Sequence, residues 1–494
     1  MRSIRVLLGI VTAALLIAKP TGAVILYGTG DPSANTSAPA GSLAGSGWQY
    51  QGQFGSFLGT AIGSNFFLTA KHIGGNVGNT FTFNSVNYTT IAAFPDPSSD
   101  LQIWQVAGSF PVHAPLFSSP PGHEVNLALV VFGRGTQRGN PVLVGNDSHL
   151  GGWLWGTADA IQRWGTNVVS STLNDPIYGK LLRAEFNSNA GPNEAHLSSG
   201  DSGGAVFVFN PNSNQWELAG INLAVDGPFS YSPDGGNAFD AALFDTTGLF
   251  GPADAGGWTV APNPSAFYAT EIAAHKSFIQ ATVMGLTGIV SRKVHGSAGP
   301  FDVDLPVNGP PGIECRDGGP TDNYQLVFTF ARNVTVQSAA VSSGAGDVTS
   351  FNAVGNTVTV NLTGVTNAQT ITVTLASVND GINVSDVQAT MAVLIGDTTA
   401  NGAVNSSDIT QIQSQSGQPV DFTNFRQDVT VSGTINSSDI ALVQSKSGTA
   451  LPQIASQASA VDFAFERALQ PLPLPRKNFF RLPNSPRKSP LFRR

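Results

Sequence analysis

Short apolar stretches broken by Gly, Pro, Asn and Asp set the rhythm of the first half of the chain. They are Phe54 to Ile62, Phe66 to Ala70, Leu101 to Val106, Val125 to Phe132, Ala205 to Phe209 and Leu218 to Val225. Apolar runs of this length, bounded by turn formers, predict the antiparallel strands of a barrel or sandwich. Only Ala269 to Met284, with Ile272, Phe278, Ile279 and Val283 at helical spacing, predicts a helix, and it would close a first unit spanning 24–285.

The period then becomes two. Leu326 to Phe330, Thr357 to Leu362 and Thr370 to Leu375 alternate apolar with polar residues and predict an Ig-like β-sandwich over 312–395. The Gly- and Pro-rich stretch 286–311 before it reads as a linker. Asn405-Ser406-Ser407-Asp408-Ile409 recurs as Asn436-Ser437-Ser438-Asp439-Ile440, a period of 31 residues, which predicts two loop-helix units over 396–450. From 451 onward the chain is Pro-rich and basic and reads as a disordered tail.

Composition agrees with a mainly β protein. Of the 494 residues, 41% are hydrophobic and only 11% charged, against about 25% charged in an average soluble domain, which excludes a charge-driven disordered chain. The 55 Gly and 31 Pro favour short strands joined by turns. Net charge is -8, but eight of the 24 basic residues fall within 467–494, where there are no acidic ones. The rest of the chain therefore sets 16 basic residues against 32 acidic, a balance of -16 that argues against nucleic acid as a partner.

Arg2 and Arg5 precede the apolar run Val6 to Ala18, and small residues follow at Thr21-Gly22-Ala23. This is the pattern of a secretory signal over 1–23. The run is too short to cross a bilayer core of about 30 Å as a helix, and no later segment is apolar enough to span. The expectation is a secreted protein, extracellular or associated with a cell surface, with no membrane span in the mature chain. Its one cysteine, Cys315, allows no intrachain disulfide and is expected to be an inert buried thiol.

Two strings carry chemistry. In Gly200-Asp201-Ser202-Gly203-Gly204, glycines around one serine let the backbone turn so that the hydroxyl is exposed and nearby N-H groups converge. Upstream, Phe66-Phe67-Leu68-Thr69-Ala70-Lys71-His72 is an apolar strand ending at a histidine. A serine hydroxyl needs such an imidazole to take its proton, and a carboxylate to orient the imidazole. Asp100, before the strand Leu101 to Val106, is the first candidate and Asp96 the second. The other histidines lack metal-ligand spacing, so no cofactor is expected for catalysis.

Leu-Thr-Ala-x-His, Asp-Leu-x-Ile and Gly-Asp-Ser-Gly-Gly, in the order His72, Asp100, Ser202, resemble the trypsin/chymotrypsin-like serine endopeptidases over 24–285. The resemblance implies a double β-barrel with the catalytic residues in the cleft between barrels and a protein or peptide as substrate. It also implies His72 as general base and then acid, Asp100 as its orienter, Ser202 as nucleophile, and the N-H groups of Gly200 and Ser202 as oxyanion hole. Asn222, Leu223 and Ala224 would lie on the strand that pairs with substrate. His196, six residues before Ser202, would lie at the base of the primary specificity pocket. In this family Asp201 often pairs with a newly released α-amino group, and cleavage after Ala23 would expose Val24-Ile25. Lys71 departs from the small residue usual before the histidine. The second reading is a catalytically silent homologue serving as an extracellular adhesion or binding protein.

The repeated loops Asp397 to Asp408 and Asp428 to Asp439 carry oxygen-bearing side chains at positions 1, 3, 5, 9 and 12 and Gly at 6. They resemble the calcium-binding repeats of type I dockerins. The resemblance implies Ca²⁺ held by Asp397, Thr399, Asn401, Asn405 and Asp408 and by Asp428, Thr430, Ser432, Asn436 and Asp439. It also implies a cohesin-like or cell-surface partner for 396–450.

Overall fold

The computed structural model describes residues 24–253, 256–307 and 309–452, so the expected signal segment and nearly all of the basic tail lie outside the described residues. The fold is mainly β. Six strands close the first barrel: β1 (Gln51–Phe54), β2 (Phe57–Gly63), β3 (Phe66–Ala70), β4 (Thr80–Phe83), β5 (Val86–Pro95) and β6 (Leu101–Val106). They run in the order β1-β2-β3-β6-β5-β4. Aromatic side chains fill the barrel, where Phe67 and Phe81 stack with ring centroids 3.9 Å apart among Phe54, Phe83, Trp104 and Phe110.

The second half is a seven-stranded antiparallel sheet. Its strands are β7 (Ala128–Gly133), β8 (Arg163–Val168), β9 (Ser171–Asp175), β10 (Gly179–Glu185), β11 (Ala205–Asn210), β12 (Gln215–Val225) and β13 (Ala266–Glu271). The order is β8-β7-β11-β12-β13-β10-β9. Helix α1 (Ile272–Val283) follows β13 directly. It starts later than its apolar pattern because Ala269 to Glu271 complete the strand.

One core joins the two halves. Leu58, Phe66, Leu68, Leu101 and Ile103 of the barrel pack with Phe132, Ala205, Phe207 and Ile221 of the sheet and with Ile272, Phe278, Ile279 and Val283 of α1. Burial of a large apolar side chain contributes about 1.5–3 kcal/mol, so this shared core fixes the cleft between barrel and sheet.

Two facing sheets follow. The stretch 286–311, expected as a linker, instead holds β14 (Leu286–His295) and β15 (Gly299–Asp304), two strands of a five-stranded sheet. The sequence hides them because inward positions such as Ser291 and His295 are polar: they serve the buried ion pair Glu314–Arg316 rather than an apolar core. The repeats form α2 (Ser406–Gln415) and α3 (Ser437–Lys446), each begun by an Asn in a reciprocal capping box. They sit on the sandwich through His295 Nδ1 to Asp428 Oδ2 (2.9 Å), the Asp317 amide to the Val429 carbonyl (2.8 Å) and the stacked rings of Phe301 and Phe425. Cys315 is buried here, and burial pushes its thiol up to about 11, which keeps it unreactive. No helix among the described residues is long and apolar enough to cross a membrane.

Candidate active site

Strand pairing brings His72 and Asp100 together. Ala70 at the end of β3 pairs with Leu101 at the start of β6, so residues just beyond one and just before the other emerge at the same barrel end. A single turn of 3-10 helix, Lys71–Ile73, carries His72 there. His72 Nδ1 lies 2.5 Å from Asp100 Oδ2, and the backbone N-H of His72 donates to Asp100 Oδ1 at 3.0 Å. Asp100 is buried and His72 is partly exposed.

Asp96 engages other partners than His72. Its Oδ1 accepts from the amide and hydroxyl of Ser98 and its Oδ2 from the Ser99 hydroxyl, while His275 Nδ1 lies 2.7 Å from Oδ2. The cation of Lys71 is engaged by the turn, with Nζ donating to the carbonyls of Asp96 (2.9 Å) and Ser99 (2.5 Å).

The Ser202 loop lies against the same barrel end. Gly203 has φ +75, and a Cβ there would come within 2.3 Å of Thr69 Oγ1 and 3.3 Å of Ile73 Cδ1, the residues that bracket the His72 turn. Gly200 also holds a left-handed φ, +97. Only glycine takes both the torsion and the approach without strain. Among the described residues the N-H groups of Gly200 and Ser202 have no acceptor, whereas those of Asp201, Gly203 and Gly204 bond to Ser198, Asn222 and Asp201 carbonyls. Ser202 Oγ makes no hydrogen bond among the described residues and is partly exposed.

Asp201 points inward from this loop. It accepts from the amides of Gly135 (2.7 Å) and Ser198 (2.8 Å), from the Ser198 hydroxyl (3.0 Å) and from the backbone of Val24. Burial outweighs these donors and pushes its carboxyl up to about 6.

The expected substrate contacts divide. His196 is fully buried, with Nδ1 against the Leu197 carbonyl (2.7 Å), Nε2 against Ser265 Oγ (3.3 Å) and its ring between Phe186 and Phe267. Burial lowers its pKa to about 4, and it presents no surface to a substrate side chain. Leu223 packs into a core with Leu181 and Tyr268, and Asn222 Nδ2 donates to the carbonyls of Phe132 and Asp201, so both side chains are structural. The backbone is different. β12 pairs with β11 only as far as Ile221, while on its other edge Ala224 and Val225 still pair with β13. Among the described residues no strand covers the Leu223–Val225 edge beside the Ser202 loop. On the barrel side, Ile73, Gly74 and Gly75 after His72 border a cleft of about 490 Å³ with Phe54, Phe57, Asn79 and Thr80.

The repeat loops commit their oxygens internally. Asp408 Oδ1 accepts from the amide and hydroxyl of Thr399 and Oδ2 from the Asn405 amide. Asn401 Oδ1 accepts from Ala403, and Asn405 Oδ1 from Ser407. In the second loop Asp439 is engaged identically by Thr430 and Asn436, and Asp428 also faces His295. Thr399 Oγ1 lies 3.3 Å from Asp397 Oδ1 and 2.9 Å from Asp408 Oδ1, and Thr430 Oγ1 lies 3.5 Å from Asp428 Oδ1 and 2.8 Å from Asp439 Oδ1, so the oxygens of positions 1, 3 and 12 converge inside each loop. Hard oxygen donors gathered in this way suit a cation such as Ca²⁺.

No protein-family description matches the chain, and no characterised protein matches it. Among solved structures, the passenger domain of Plasmid encoded toxin, an autotransporter enterotoxin from enteroaggregative Escherichia coli, overlaps with a TM-score of 0.30 at 15% identity. That overlap covers 47% of this chain and only 22% of the toxin chain. The secreted serine protease VesC from Vibrio cholerae overlaps with a TM-score of 0.31 at 11% identity, over 76% of this chain and 73% of that one. Overlaps this slight assign no activity.

Proposed function

We propose that residues 24–285 act as a secreted serine endopeptidase, cleaving peptide bonds through an acyl-enzyme on Ser202. The observation that carries this reading is the grip of one buried carboxylate, Asp100, on both the ring and the backbone of His72, at a barrel end that touches the glycine-flanked Ser202 loop. Asp100 holds the imidazole with its proton on Nδ1, leaving Nε2 to accept. His72 takes the Ser202 proton as Oγ attacks the carbonyl carbon, and the amides of Gly200 and Ser202 receive the developing oxyanion. His72 then gives that proton to the leaving amine, and water repeats the sequence on the ester. Catalytic hydrogen bonds are commonly loose before substrate binds, so the unbonded Ser202 Oγ is compatible with this role.

The free edge at Leu223–Val225 supports antiparallel pairing with the acyl side of a peptide. In the same proposal, cleavage after Ala23 sets the new α-amino group of Val24 at the Asp201 carboxylate, which the Val24–Asp201 backbone bond supports. We assign the repeats to docking on a cohesin-like or cell-surface partner, on the likeness of their sequence alone, with Ca²⁺ held in the two loops. The test of the enzymatic reading is hydrolysis of an unfolded protein substrate by the secreted chain. Activity lost in Ser202→Ala supports it, and a folded, inert wild type favours the silent binding protein.

A further inference from the structure

The turn Asp96–Asp100 ends in a carboxylate on each side, and each meets a histidine: Asp100 meets His72 at 2.5 Å and Asp96 meets His275 at 2.7 Å. The first pair belongs to the proposed chemistry. The second is wholly buried, lies on a different element and has no part in proton transfer.

His275 sits in the first turn of α1, whose Ile272, Phe278, Ile279 and Val283 are embedded in the core shared by barrel and sheet. The helix is therefore a fixed post. From it, His275 reaches across to the turn and engages Asp96. Behind the ring, Gly179 has φ +74, and a Cβ there would lie 3.2 Å from His275 Nε2 and 2.7 Å from the Ser98 carbonyl. The imidazole is thus boxed between β10 and the turn. Its Nε2 is buried with no hydrogen-bond partner among the described residues, so the Asp96 contact alone fixes its orientation.

The turn is pinned from the opposite side as well. Lys71, one residue before His72, donates through Nζ to the carbonyls of Asp96 and Ser99 and through its amide to the Asp100 carbonyl. These contacts set the height of Asp100 at the barrel end. A carboxylate that must meet the ring and backbone of His72 together tolerates little displacement, because misplacement on the order of 1 Å can cost about 10²-fold in rate.

We propose that His275 and Asp96 are positioning residues of this site: they tie the turn that bears Asp100 to the helix following the second sheet and so align Asp100 with His72. The proposal rests on the endopeptidase reading for its kinetic consequence but not for its geometric one.

The test compares full-length wild type with His275→Ala, His275→Asn and Asp96→Asn, each confirmed folded by circular dichroism and assayed well below its melting temperature. Asn places an amide N-H close to the His275 Nδ1 position, so it is the conservative rescue. The expected result is that His275→Ala lowers kcat about tenfold or more with KM within about twofold. The low-field proton resonance of His72 Nδ1, identified by its loss in Asp100→Asn, shifts or broadens in the same variant. His275→Asn restores both. If His275→Ala does not fold, Asp96→Asn is read in the same way. Variants with lowered melting temperature but unchanged kcat and unchanged resonance overturn the proposal. A wild type that cleaves nothing overturns the endopeptidase reading alone, and the resonance comparison then decides the positioning role by itself.

Discussion

Asp100 holds His72 twice, by Oδ2 at 2.5 Å from the ring nitrogen Nδ1 and by Oδ1 at 3.0 Å from the backbone amide. A neutral amide cannot accept at both sites and also stabilise an imidazolium. Asp100→Asn is therefore expected to lower kcat by about 10⁴, with KM changed by less than about threefold, in steady-state assays on a peptide substrate. A loss confined to KM would place Asp100 outside the chemistry.

Asp201 links Val24 to the Ser202 loop. Its carboxyl is raised by burial, and a cation beside it would hold the charged form and fix Gly200 and Ser202. Asp201→Asn is expected to reduce kcat/KM by about 10²-fold or more while the Ser202 loop remains chemically intact. The same loss is expected when Val24 is preceded by an uncleavable segment. Equal activity with and without a free Val24 amine contradicts the link.

His196 is expected to govern stability and leave specificity untouched. With both ring nitrogens bonded in an aromatic core, His196→Gln should lower the melting temperature by several degrees, about 1–3 kcal/mol. Its cleavage profile on a panel of fluorogenic peptides should match wild type. A changed preference at the residue before the scissile bond would return His196 to the specificity pocket.

These outcomes show where the sequence is informative. The His72 and Ser202 strings are legible because a strand end and a glycine-flanked turn are local features, readable from consecutive residues. The roles of Asp96 and His275 are not, since their contact joins residues far apart in the chain and neither lies in a motif. The burial of His196 is not legible either, because spacing from Ser202 says nothing of which way a side chain points. The β14–β15 hairpin has no apolar alternation to read because its inward positions carry polar partners for Glu314 and Arg316.

The carboxyl of Glu194 is buried with only the Asn187 amide to favour its charge, and burial pushes it up to about 8. The folded state therefore keeps a proton that the unfolded chain has released above its ordinary 4.5. Stability from this group is present at acid pH and is lost as pH rises towards 8. Urea midpoints are expected to fall from about pH 6 to 8, and Glu194→Gln should flatten that slope.

The repeats give a metal test. Because the hydroxyls of Thr399 and Thr430 gather beside the position-12 carboxylates, Ca²⁺ held in the loops is expected to raise the melting temperature of the full chain by several degrees between chelator and millimolar Ca²⁺. A change of less than about 1 °C would show that the loops are closed by their own hydrogen bonds.

The central claim is that Ser202 is a nucleophile activated by His72 and Asp100. It is tested by the site of fluorophosphonate modification in the purified full-length protein, mapped by mass spectrometry of the digested chain. A single adduct is expected on Ser202, vanishing in Ser202→Ala and forming at least about 10³-fold more slowly in His72→Ala. A folded wild type that takes no adduct, or takes one elsewhere, contradicts it.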